Sequence, residues 1–259
     1  MGNRLQNCKY LPAWLAADLG LERILKLLLE KTDMDINVTF FGCGHTLLLT
    51  AARTGNDKVL KVILEKDQVC LNQANKYGDT ALMYAIWHGV LESGHINALK
   101  MLLQKDGIDI NHANNQGNTT LIKAACEGYV EVVKLLLERE EIDVNQANLK
   151  GSTALLLAVH KGHVKIVEML IKKDDIDLNA QNQYGETPLF IAAKVGHHNV
   201  VKMLLKKDDI EVNLENWAGE TPLSVAADER NGKIVNLLLG TETIRTIGWD
   251  GWRPIANPA

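Results

Sequence analysis

The sequence predicts an all-α solenoid of stacked helix-turn-helix units with projecting β-hairpin-like fingers, and three observations lead there. The first is repetition. A phrase that reads Gly185-Glu186-Thr187-Pro188-Leu189-Phe190-Ile191-Ala192-Ala193-Lys194-Val195-Gly196 recurs at Leu11, Thr46, Thr80, Thr119, Thr153, Thr187 and Thr221, at spacings of 35, 34, 39, 34, 34 and 34 residues. Such a period marks units that cannot bury their apolar faces alone and must stack. The second is apolar spacing. Counted from the Thr, Leu falls at +2, small residues at +5 and +6, Gly at +9, and aliphatic residues at +13, +14 and +16 to +18. Spacings of three and four mean helix, and a Gly between two such runs means a helical hairpin. The third is a polar segment before each Thr, such as Asp208 to Gly219, where Ile210 and Val212 alternate ahead of an Asn and a Gly. It reads as a short β-like finger that turns back on itself.

Each unit is built in the same order. The Thr hydroxyl caps a short first helix, and Pro188 and Pro222 sit in the first turn, where a missing N–H costs nothing. The alanines at +5 and +6 let neighbouring first helices approach closely. The Gly then breaks the chain before a longer second helix. On this reading residues 1–9 are an N-terminal extension, and 10–245 form one repeat domain with units at about 10–37, 44–72, 78–111, 117–145, 151–179, 185–213 and 219–245. The first unit, opening Leu11-Pro12-Ala13-Trp14, keeps its helices and lacks the finger, as a capping unit should. Residues 246–259 form a half-repeat tail whose Trp249 or Trp252 is expected to cover the last helices. The spacing of 39 places five extra residues, about 90–94, in an inter-helix turn. Solenoids tolerate neutral insertions there, and a longer loop can also carry function.

Composition sets outer limits. With 46% hydrophobic and 23% charged residues the chain lies far from the disordered regime. A net charge of -4 gives no concentrated basic field for nucleic acid. Cys8, Cys43, Cys70 and Cys126 show no paired or metal-ligand spacing, which fits a reducing compartment. No apolar stretch is long enough to span a membrane. Gly2 is a poor myristoylation site because Gln6 stands where Ser or Thr is preferred.

Chemistry has no signature either. Ser93, Ser152 and Ser224 lie outside any nucleophile motif, and neither His160 with His163 nor Cys43 with His45 makes a convincing metal pair. His95, His163 and His197 share position +10, where a structural role at a helix start is the simpler reading. Lys26, Lys61, Lys100, Lys134 and Lys202 share +15 and read as a solvated row. No catalytic residue, cofactor or metal is expected.

In its Gly-x-Thr-Pro-Leu turn, Ala-Ala helix, Gly break and Val-x-Leu-Leu-Leu helix, the chain resembles the ankyrin-repeat family over about 240 residues. Ala81, Ala154, Leu47 and Thr120 depart from it at the Pro position. The resemblance implies a non-catalytic interaction module, adaptor or scaffold, that binds another protein through a concave groove and its finger tips. A cytoplasmic monomer is expected, with the nucleus or a host-cell cytosol as other compartments. The family's groove positions are the finger tips, the residue before Thr and the two residues after the small pair. Carried onto this chain they give Tyr77, Asp79, Trp87, His88, Glu127, Lys150, His160, Lys161, Tyr184, Glu186, Lys194 and Trp217 as partner-binding residues. Alternatives are the targeting region of a larger enzyme, a host-directed effector, and a membrane-skeleton linker. The Asn of the Asp-Val-Asn step, at Asn37, Asn111, Asn145, Asn179 and Asn213, is hydroxylated in some ankyrin repeats, but holding the finger is its simpler role.

Overall fold

The computed structural model describes residues 2–40, 42–86 and 93–241. Within them the chain is helical, and it divides into two compact units, residues 1–177 and residues 178–259. The N-terminal unit holds α1 (Gly2–Asp18), α2 (Glu22–Lys31), α3 (Leu47–Thr54), α4 (Asp57–Leu64), α5 (Ala81–Tyr84), α6 (Ser93–Leu103), α7 (Thr120–Glu127), α8 (Val130–Leu137), α9 (Ala154–Lys161) and α10 (Val164–Leu170). The C-terminal unit holds α11 (Pro188–Val195), α12 (His198–Leu204), α13 (Pro222–Asp228) and α14 (Gly232–Leu239).

The helices pack in two rows. In the N-terminal unit α1, α3, α5, α7 and α9 touch in succession, and α2, α4, α6, α8 and α10 do the same. In the C-terminal unit α11 packs on α13 and α12 on α14. Small residues line the first row: Ala51, Ala52, Ala124, Ala125, Ala192 and Ala193 are each fully buried, and Ile86 and Val159 take the second of the two places in their units, also buried. The second row contributes aliphatic residues such as Val59, Leu60, Ile63, Val132, Val133 and Leu136, all at 0% exposure. Each buried side chain of this kind stabilises the fold by roughly 1.5–3 kcal/mol relative to leaving it in water.

The capping expected of the Thr residues is present at five of them. Thr46, Thr119, Thr153, Thr187 and Thr221 each accept a hydrogen bond from the backbone N–H three residues on, at 3.1–3.3 Å. Thr221 also donates its backbone N–H to Ser224 Oγ at 2.9 Å, completing a capping box. Thr80 makes no such bond, and its helix α5 is four residues long. Glycines in left-handed conformation close α3, α7, α9 and α11. The last pair breaks this rule: Arg230 takes the equivalent place with a φ of 57°.

The fingers differ from the β-like expectation. No strand occurs among the described residues, and an isolated antiparallel bridge joins Phe40 to His45. Each loop is instead organised by one asparagine. Asn75 Oδ1 accepts the N–H groups of Tyr77 and Asp79, Asn114 those of Gln116 and Asn118, and Asn148 those of Lys150 and Ser152. In the C-terminal unit Asn182 and Asn216 repeat the arrangement. Donors that a β-ladder would use are taken up by the side chain, so a compact Asx turn forms in its place. Neighbouring tips within a unit share single backbone bonds: Asn115 N–H donates to Tyr77 O, Leu149 N–H to Gln116 O, and Trp217 N–H to Tyr184 O, at 3.0–3.1 Å.

A second set of asparagines clasps each unit to the next. Asn37, Asn72, Asn111 and Asn145 in the N-terminal unit, and Asn179 in the C-terminal one, donate from Nδ2 to a backbone carbonyl in the following loop. Each accepts at Oδ1 from a backbone N–H in that same loop. The amide matches one donor and one acceptor of an otherwise unpaired backbone step. Thus Asn37, Asn111, Asn145 and Asn179 each hold the start of the next unit's finger segment, as Asp209 and Glu211 show for Asn179. The inserted residues 90–92 and the tail 246–259 lie outside the described residues, and Ser93 and Gly94 begin α6.

Candidate functional site

Among the described residues, most of the highly exposed large apolar side chains gather at the loop tips. In the N-terminal unit Tyr77 is 54% exposed and Leu149 is 78% exposed. Lys76 Nζ lies 4.9 Å from the Tyr77 ring centre. Between the tips and α7 runs a cleft of about 470 Å³, with Lys123, Cys126, Glu127, Leu149, Lys150 and Leu157 in its lining. Glu127, Lys150, His160 and Lys161 are exposed, the last two in the final turn of α9. Burial pushes the Cys126 thiol above its ordinary pKa, with the Glu127 charge adding to it, so the thiol is not an activated nucleophile.

Beneath the tips lies a polar chain that the periodicity does not reveal. His45 Nε2 and Tyr84 Oη share a 2.6 Å hydrogen bond, and Asn75 Nδ2 donates to the same Oη at 2.9 Å. One unit along, Asn114 Nδ2 donates to Asp79 Oδ1 at 2.8 Å, while Lys123 Nζ stands 3.9 Å from that oxygen. One further along, Asn148 Nδ2 donates to Asn118 Oδ1 at 2.9 Å. A sequence signal existed. The residue before Thr and the residue at +4 in the next unit are both polar at His45 with Tyr84 and at Asp79 with Lys123, whereas Leu157, Ile191 and Val225 occupy +4 in the last three units.

This placement corrects one expectation. Asp79, expected to face a partner, is 0% exposed because the Asn114 amide and the Lys123 stem close over it. Trp87 and His88 lie outside the described residues.

His45 carries a pH consequence. Partial burial first, then the charges of Arg53 and Lys76, hold its imidazole below the ordinary 6.5. An unfolded chain therefore takes up the proton before the folded one does, and this group's contribution is complete above pH 6.5 and is lost as pH falls through the lower folded value. The melting temperature of the N-terminal unit should drop between about pH 7.5 and about pH 5.5, and His45→Gln should flatten that slope.

In the C-terminal unit Tyr184 is 60% exposed and Trp217 69% exposed, on adjacent tips. Together with Glu186, Lys194, Asn216 and Ala218 they line a cleft of about 550 Å³. The Trp217 ring rests against Gly185, where an added Cβ would come within 2.7 Å of Cδ2. Lys194 Nζ donates to Glu186 Oε1 at 2.8 Å, and Asn182 Nδ2 donates to Glu186 Oε2 at 2.9 Å. The Glu186 hydrogen bond is the main reason the Lys194 ammonium is held above its ordinary pKa.

Two of the +10 histidines bond the preceding unit. His95 Nε2 bonds Arg53 O at 2.9 Å, and His163 Nε2 bonds Cys126 O at 3.1 Å. Among the described residues no three His, Cys, Asp or Glu side chains are placed to hold a metal ion, and no helix is long and apolar enough to cross a membrane.

Comparison with known proteins adds the following. A family model described as ankyrin repeats (3 copies) matches residues 13–114, 90–182 and 175–246. The crystal structure of the ankyrin repeat domain of Bcl-3, a unique member of the IkappaB protein family, matches with a TM-score of 0.76 and 25% identity over 88% of this chain and 98% of that one. EF0377, an ankyrin repeat protein, matches with a TM-score of 0.68 and 25% identity over 78% of this chain and 99% of the other. No curated protein is significantly similar.

Proposed function

Since the chain belongs to the ankyrin-repeat family, whose members are generally protein–protein interaction modules, we propose that it is a non-catalytic adaptor or scaffold that binds a protein partner through its loop tips and the first helices behind them. Its fourteen described helices are read as seven repeat units, working as a monomer in a reducing, cytoplasmic setting. One observation carries the reading. Of the five most exposed large hydrophobic side chains among the described residues, four are Tyr77, Leu149, Tyr184 and Trp217, all three or four positions before a unit's Thr. An apolar side chain that the fold leaves in water at one repeated position is a ready anchor, and aromatic anchors dominate interface energetics. Glu127, Lys150, His160, Lys161, Glu186 and Lys194 supply the polar surroundings, and buried Asp79 acts only through the loops it supports.

Association needs little reordering, because each tip is already fixed by two hydrogen bonds to its asparagine. The paired substitution Tyr184→Ala with Trp217→Ala should weaken binding of a partner captured from cell lysate by about 2 kcal/mol or more, roughly thirty-fold, with circular dichroism unchanged. Equal affinity of the paired variant would remove the C-terminal tips from the interface.

A further inference from the structure

The two exposed rings of the C-terminal unit stand beside an excess of carboxylates. Glu220 Oε2 accepts from Asn216 Nδ2 at 2.8 Å, and this glutamate forms no ion pair among the described residues. Asp228 and Glu229 are exposed at the end of α13, at +7 and +8 from Thr221, the positions that Lys194 and Val195 hold from Thr187 on the adjoining helix α11. Neither forms an ion pair among the described residues. Of the nearby cations, Lys194 is already engaged by Glu186, and Arg230 is exposed. Lys194 lines the cleft with Tyr184 and Trp217, and α13 packs on α11, so Asp228 takes on α13 the place that Lys194 holds on the neighbouring helix; the charges of Glu186, Glu220 and Glu229 all act on the Lys194 ammonium.

Resting on the interaction reading above, we propose that this face, made by Tyr184, Trp217, Glu220, Asp228 and Glu229, binds an arginine side chain carried by an extended segment of the protein partner. An indole held on one side by Gly185 and 69% exposed offers a flat apolar surface. A guanidinium stacks on such a surface while its N–H groups reach carboxylates, which a compact ammonium cannot do as well. A purely apolar segment would strip water from Glu220, Asp228 and Glu229 without replacing it, and an acidic segment would be repelled.

The test uses the full chain on beads, presented with pools of peptides of about twelve residues that have random flanks and a fixed central Arg, citrulline, Lys or Glu. Citrulline has the shape of arginine without its charge. The Arg pool should be retained about tenfold or more above the citrulline pool, and E220Q/D228N/E229Q should erase that preference without altering the thermal melt. Trp217→Ala should lower retention of the Arg pool. Equal retention of Arg and citrulline pools, equal retention of Lys and Arg pools, or a preference for Glu would each overturn the arginine assignment while Trp217-dependent binding leaves the interaction surface standing. Retention that Trp217→Ala does not change in any pool would overturn the surface itself.

Discussion

Gly117→Ala is expected to destabilise the N-terminal unit by about 3 kcal/mol or more, seen as a clear drop in the urea midpoint followed by circular dichroism. Two costs combine. Gly117 has a φ of 75°, a left-handed conformation that costs a residue with a Cβ about 1–2 kcal/mol. The added Cβ would also stand 2.7 Å from Leu149 N, 2.9 Å from Asn148 Cα and 3.0 Å from Asn148 C. These are backbone atoms and cannot rotate away, so the Leu149 N–H to Gln116 O bond of 3.1 Å must open. Gly219→Ala separates the two costs. Gly219 has nearly the same φ, 77°, but among the described residues a Cβ there meets nothing within 4 Å. It should cost only about 1–2 kcal/mol, and equal losses at the two positions would show that contact between loops contributes nothing.

Lys123→Met is expected to cost about 3–5 kcal/mol, and most of that loss should return when Asp79→Asn is added. Asp79 is fully buried; its Oδ1 accepts from Asn114, and its Oδ2 is buried without a hydrogen-bond partner. The Lys123 ammonium, 3.9 Å from Oδ1, is the positive charge paired with it. Burial lowers the Lys123 pKa, and the charges of Asp79 and Glu127 oppose that shift. Taking away the cation leaves a carboxylate with neither water nor counter-charge, which is more costly than having no pair at all. A denaturation cycle over wild type, both single variants and the double variant measures the coupling. Additive losses would mean that the two groups do not interact.

These two sites show where the sequence was legible. Requirements that recur every unit could be read directly: Thr caps, alanine pairs between close helices, Gly at the helix end, and aliphatic residues in the second row. The same reading marked tip positions that the helices do not need, Tyr77, Tyr184 and Trp217 among them, and these side chains are exposed. What it missed depends on pairs of particular residues in adjoining units. Glu186 and Asp79 occupy the same place before a Thr, yet Glu186 keeps some exposure while Asp79 is enclosed, because Asp79 meets Lys123 and Asn114. A repeat profile treats each position separately and cannot show such a meeting. The loops were misread for a related reason. Alternating Ile210 and Val212 suggested strand, but Asn216 Oδ1 takes the backbone donors of Ala218 and Glu220. Arg230 is a departure of another kind, a side chain in a backbone state that glycine fills elsewhere.

The clasping asparagines give construction of this molecule a direction. Each amide reaches forward to backbone 30–37 residues later, so it can close only after that stretch has left the ribosome. A nascent unit thus emerges with one hand open, and its successor's arrival fills it.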